Sequence, residues 1–329
     1  MSAVTLAIDF LDAPFLGKPA WMWLAFLGAV LALLVLDLGV LHRRPHAIAV
    51  RESLWMSAFY VSIGLLFGAW VWIALGEQAG EEYLTGFLVE KTLALDNIFV
   101  ISLIFTYFAV PAAHQHRVLF WGILGVIVLR AVMIGVGAAL VSAFSWTLYL
   151  FALFLVATGV KMLLLGEKAP DIEANPVLRI LRRILRVTPA PHGTRFFVRL
   201  PHPRTGRRVL WVTPLFVALL MIEVVDLVFA IDSVPAIFAI TDDPFIVYTS
   251  NVFAILGLRA LYFALAAAVH RFRYLKPALA LVLVFIGAKI FVADLAGWDK
   301  FPASVSLGVT LVLLAGGVVA SLWRSRLPA

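Results

Sequence analysis

An all-α bundle of membrane-spanning helices is the fold this sequence predicts, on three observations. Hydrophobic residues make up 63% of the 329 and charged ones 14%, where soluble domains carry about 45–50% and about 25%. Nine apolar segments recur, each near or above the ~20 residues a helix needs to cross the hydrocarbon. The basic residues also alternate in density from one loop to the next. With no cysteine, disulfides, thiolate metal sites and thiol chemistry are excluded.

The segments fall at about 21–41, 55–75, 84–109, 117–140, 146–166, 211–240, 245–269, 277–296 and 303–323. Segment 1 is too long and too poor in preceding basic residues for a signal peptide. Arg43, Arg44 and Arg51 follow segment 1, Arg117 follows segment 3, and ten Lys and Arg lie in 167–210. Arg271, Arg273 and Lys276 follow segment 7, and Arg324 and Arg326 follow segment 9. The alternate loops hold Glu77, Glu81, Glu82, Asp242, Asp243, Asp294 and Asp299, with Lys18 and Lys300 as their bases. The positive-inside rule then places the amino terminus outside and the carboxyl terminus in the cytoplasm. In a bacterial cell this is the cytoplasmic (inner) membrane.

The organisation expected is helices 1–2 in 1–83, a three-helix unit in 84–166, a basic cytoplasmic connection in 167–210, a second unit in 211–296, and helix 9 in 297–329. Six prolines punctuate the connection. Within it, residues 176–187 alternate apolar and basic positions at helical spacing, which suits a helix lying on the anionic inner leaflet. Solvated arginines serving only as a topology signal fit the same pattern. Residues 195–199 and 208–212 have the makings of a small hairpin across Pro203-Arg-Thr-Gly206.

Chemistry enters where charge enters the spans. Segment 6 carries Glu223, Asp226 and Asp232 in an otherwise apolar run. A charge at membrane depth costs about 2.5–3.5 kcal/mol on insertion scales, so intramembrane acids point to function. Segment 3 holds a second copy. Glu90-Lys-Thr-Leu-Ala-Leu-Asp-Asn97 lies over Asp226-Leu-Val-Phe-Ala-Ile-Asp-Ser233, acid on acid, each ending in a small oxygen-bearing side chain. Leu129-Arg130-Ala131 likewise matches Leu258-Arg259-Ala260, and Gly159-Val-Lys161 matches Gly287-Ala-Lys289. Segments 3-4-5 therefore repeat as 6-7-8. Three crossings per unit would make the second copy inverted, a plan that recurs in secondary transporters with a midplane site.

Glu90, Asp96, Asn97, Glu223, Asp226, Asp232 and Ser233 are the expected ligand set. Pro235 frees the carbonyl of Ile231, and residues 226 and 232 fall on different faces of a regular helix. Both facts predict a broken helix beside Asp232. Asp37 is read as lining an entrance, with Arg130, Arg259, Lys161 and Lys289 as charge-pairing or gating bases. Pairing of Asp96 and Asp232 with Arg130 and Arg259 for purely structural reasons is the competing explanation. An all-oxygen set suits Mn²⁺, Ca²⁺ or Mg²⁺ rather than Cu⁺ or structural zinc.

These stretches, with Leu36-Asp37-Leu38, the run Asp232–Thr241 and the run Asn251–Tyr262, resemble the TerC family of integral membrane proteins, including its Alx-type manganese exporters. The resemblance spans roughly residues 30–323 and implies export of Mn²⁺. It also implies links to tellurium resistance, alkaline response and metal supply to exported enzymes. Expelling a dication against 100 mV costs about 4.6 kcal/mol, and no G-x-x-x-x-G-K-[ST] loop is present for ATP. Proton antiport at shared carboxylates is the expected coupling. The other class considered is a non-transporting scaffold that aids assembly or metalation of envelope proteins through 167–210. Neither reading calls for an enzyme, a prosthetic group or nucleic acid; the partners expected are lipid, protons and the ion.

Overall fold

The computed structural model describes residues 11–36, 50–165, 172, 175–201, 206–265, 274–298 and 300–324. Asp37 and the side chains of Asp96 and Arg259 lie outside the described residues. Helices α1 (Ala20–Leu36), α2 (Val50–Leu75), α3 (Glu77–Tyr107), α4 (Ala112–Ala143) and α5 (Thr147–Leu165) come first. A short α6 (Pro176–Ile184) and an antiparallel pair, β3 (Phe197–Pro201) with β4 (Arg208–Val212), lie in the described part of the connection. Then follow α7 (Pro214–Phe238), α8 (Pro244–Leu256), α9 (Leu258–Leu265), α10 (Leu275–Leu295) and α11 (Ala303–Arg324). A two-residue pair, β1 (Pro14–Phe15) with β2 (Lys18–Pro19), precedes α1. The chain is a helical, multi-pass membrane protein. Among the described residues seven helical runs are long and apolar enough to cross a bilayer, α8 and α9 together forming one of them.

Local chemistry sets the helix ends. Gly76 separates α2 from α3 at φ 98°, a conformation open to glycine. α3 accordingly starts at Glu77, well before the apolar run does. Its first turns carry Glu77, Glu81 and Glu82, where negative charge complements the helix dipole. Asn175 caps α6 by accepting from the Val177 amide (2.9 Å), with Pro176 at the first helical position. Asp243 caps α8 through the Phe245 amide (2.9 Å).

One expectation fails. α7 runs unbroken through Pro235 to Phe238. Proline here removes a single backbone bond within the last turn, and the helix ends soon after. The interruption falls instead at Gly257, between α8 and α9.

The bundle packs α3 against α8, α4 against α7, and α3 against α7, with α5 and α10 crossing closely. That last crossing is reciprocal. A Cβ on Gly159 would lie 2.6 Å from the Ala280 carbonyl and 2.7 Å from Val284; one on Gly287 would lie 2.5 Å from the Ala152 carbonyl and 2.9 Å from Val156. Backbone carbonyls cannot swing aside as side chains do. Gly159→Val is therefore expected to lower stability by about 1–3 kcal/mol, read as thermal unfolding in detergent. An unchanged melting curve would mean the two helices part freely.

An aromatic cluster fastens α1 and α2 to α8: Phe67 lies 4.6 Å from Phe253, and Trp23 is edge-on to Phe245 at 5.1 Å. Large apolar side chains such as Ile73, Leu164 and Val312 face outward. On a soluble protein such a surface would be a liability; on a lipid-facing surface it is the expected one. At one end of the bundle Lys18 pairs with Asp243 (2.8 Å) and Lys300 with Asp242 (2.6 Å). Burial opposes ionisation of Asp242, yet the Lys300 hydrogen bond and charge prevail and hold its carboxyl below the usual range. The two bases predicted on the acid-rich side thus meet acids there. An exposed pair of this kind adds little stability.

Candidate functional site: a buried charge network between the two acidic stretches

The two copies of the acidic stretch cross in the interior, through the contact of α3 with α7. Asn97 of the first copy donates to Oδ1 of Asp226 in the second (3.3 Å). Ser233 of the second copy is joined to Glu90 of the first through Arg130, whose Nη1 donates to Ser233 Oγ and pairs with Glu90 Oε1.

Arg130, brought in by α4, sits at the centre and is 1% exposed. Its Nη1 lies 2.6 Å from Glu90 Oε1, and its Nε lies 3.4 Å from Asp226 Oδ2. Nη1 also donates to Ser233 Oγ (2.8 Å) and to Asn251 Oδ1 (3.1 Å). Asn251 closes the ring by donating to Glu90 Oε2 (3.0 Å). Charge pairing is thus real for Arg130, through the leading acid of each copy. Among the described side chains of this network, two carboxylates against one guanidinium leave one negative charge when both are ionised.

Glu223 is half-buried one turn before Asp226 and presses its carboxylate against α4 at Gly125. Any side chain at position 125 would occupy that space. As the i, i+3 spacing predicts, Glu223 and Asp226 both address α4. In this region Glu90 Oε1 is held by its ion pair with Arg130 alone, while Glu223 Oε2 and Asn97 Oδ1 are buried with no hydrogen-bond partner among the described residues. Unpartnered buried acceptors are costly. A cavity of about 30 Å³ adjoins the network, lined by Asn97, Asp226, Gly122, Val126, Ile255 and Tyr262 among others. That is room for about two waters.

Of the remaining expected residues, Asp232 is half-buried on α7. Lys161 is exposed near the end of α5, as a snorkelling lysine would be. Lys289 is buried and donates to Ser306 of α11 (3.0 Å). Among the described residues, no three Asp, Glu or His side chains converge tightly enough to hold a metal ion. Asn251 is not among the residues the sequence predicts for the site. The available signal was an amide in the middle of an apolar span, where only a polar partner offsets its burial.

The integral membrane protein TerC family model matches residues 75–328. An uncharacterized membrane protein of Rickettsia bellii is 50% identical over 305 residues, covering 93% of this chain and 98% of that protein. An uncharacterized membrane protein of Myxococcus xanthus is 48% identical over 313 residues, 95% of each. A putative membrane-bound redox modulator, Alx, of Salmonella typhi is 45% identical over 311 residues, 92% of this chain and 94% of that protein. No solved structure matches. With a family match over most of its length and relatives at 45–50% identity across more than nine-tenths of it, the chain belongs to the integral membrane protein TerC family.

Proposed function

We propose that this chain is a secondary transporter that exports a divalent cation, Mn²⁺, from the cytoplasm in exchange for protons. One observation carries the reading. The two acidic stretches meet in the interior with more carboxylate than guanidinium, and they leave Asn97 Oδ1 unpartnered beside a cavity that Asp226 also lines. Carboxylate, amide and hydroxyl oxygens in that region are hard ligands, suited to Mn²⁺ with Ca²⁺ and Mg²⁺ as chemical neighbours. Carboxylates enclosed away from water hold protons more tightly, so protons and metal compete for them. Asp96 and Asp232, the second acid of each copy, complete the ligand set in this reading. The chain lacks cysteine, so a thiol reaction of its own plays no part.

In this reading the chain lies in the cytoplasmic membrane with its amino terminus outside. α6 then faces the anionic inner leaflet, its exposed Arg179, Arg182 and Arg183 toward headgroups and its exposed Ile180 and Ile184 toward the acyl boundary.

The test is Mn²⁺ flux in proteoliposomes carrying the purified chain. Asp96→Asn and Asp232→Asn are each expected to abolish flux while the protein still inserts. Normal flux through both would remove these two acids from the ion site, and no flux from the wild type would end the exporter account. The scaffold alternative, favoured by the exposed apolar and basic face of α6, predicts no flux from the wild type at all.

A further inference from the structure

The break at Gly257 lies in the α8–α9 run, the most enclosed of the seven candidate spans. In an unbroken helix the Ala254 carbonyl would accept from the Leu258 amide. Here the ammonium of Lys91, reaching across from α3, donates to it at 3.0 Å. Glycine makes the approach possible: a Cβ at position 257 would stand 2.5 Å from Lys91 Nζ and 3.1 Å from Tyr60 Cβ. From the other side, Ser53 of α2 donates to the Ala260 carbonyl in α9. Both halves of the interrupted helix are therefore held by side chains from neighbouring helices. The break also adjoins the charge network, because Glu90 next to Lys91 accepts from Asn251, one turn before Ala254.

A half-helix carboxyl end offers partial negative charge and unpaired carbonyls. Where transporter helices are interrupted, such ends coordinate small coupling cations. Here a tethered primary ammonium stands in that position. We propose that Lys91 is a built-in occupant of a monovalent-cation site at the α8–α9 break. It makes the site independent of Na⁺, and removing the amine opens the site to a free alkali-metal ion. The consequence for transport rests on the exporter reading above; the binding assignment does not.

The experiment compares wild type, Lys91→Ala, Lys91→Gln and Lys91→Arg as full chains in detergent. Melting temperature is measured in NaCl and in N-methylglucamine chloride at equal ionic strength. Wild type and Lys91→Arg, which keep a tethered cation, are expected to melt at the same temperature in both salts. Lys91→Ala and Lys91→Gln are expected to gain about 2–4 °C in NaCl, as ligand-linked stabilisation gives at a few-fold to tenfold excess over the dissociation constant. Glutamine keeps most of the side chain and supplies a carbonyl ligand, so it serves should Lys91→Ala fail to fold. No sodium effect in the neutral variants, or one already present in wild type, overturns the assignment. In proteoliposomes, Mn²⁺ flux should ignore Na⁺ in wild type and depend on it about tenfold in Lys91→Gln. A chain that moves no Mn²⁺ would sink the exporter reading and leave the melting data to decide this one.

Discussion

Arg130→Met is expected to destabilise the bundle by about 3–5 kcal/mol, the cost of leaving a buried charge without its partner. Nothing else in the described network can neutralise Glu90 and Asp226, which address the same guanidinium from two helices. Asn251 and Ser233 would also lose their donor. The measurement is chemical or thermal unfolding in detergent. The change should be recovered in part by Glu90→Gln in the same chain, because a neutral amide beside methionine no longer demands a counter-charge. That coupling is what a double-mutant cycle reads. Two independent, additive effects would mean the arginine and Glu90 do not act as one unit.

Asp226→Asn should do the reverse, sparing the fold and ending transport. Asparagine keeps the shape and can still accept from Asn97 and Arg130, so stability should move by no more than about 1 kcal/mol. What disappears is the network's surplus negative charge. At an effective dielectric near 20, a unit charge about 4 Å from a dication is worth about 8 kcal/mol before hydration is counted. Even a third of that, about 2.7 kcal/mol, is a hundredfold in rate or affinity. Mn²⁺ flux through Asp226→Asn should therefore fall by about a hundredfold or more. Wild-type flux in a well-folded variant would show that the surplus charge is not what the ion follows.

Much of this site was legible in the sequence. The acids at 90, 226 and 223, the arginine at 130, and Asn97 and Ser233 stood out because each interrupts an apolar span. The duplication of the acidic stretch was visible as spacing alone. Where the two copies cross, Asp226 meets Asn97 directly and Glu90 reaches Ser233 through Arg130. Asn251 was passed over because an uncharged amide barely lowers the hydropathy of its segment. The break was misplaced for a related reason. Pro235 is a strong local signal, but so close to a helix end it removes only one backbone bond. Gly257 is a weak local signal, and Lys91 and Tyr60 from other helices bear on it.

By itself, then, the sequence determined the helical membrane class, the alternation of charge between loops and the ionisable groups of the Arg130 network. Those are sums of local transfer energies, each tied to one side chain and its depth. The same sequence places Glu81 and Glu82 among loop acids, which the fold buries in α3. Only the tertiary structure decided that Arg130 answers to Glu90 and Asp226 together, that Asn251 joins them, and that Lys91 occupies the interrupted helix. Those pairings join residues as far as 161 and 163 positions apart. Packing between helices chooses them, because a buried charge takes whichever partner the neighbouring backbone brings within reach.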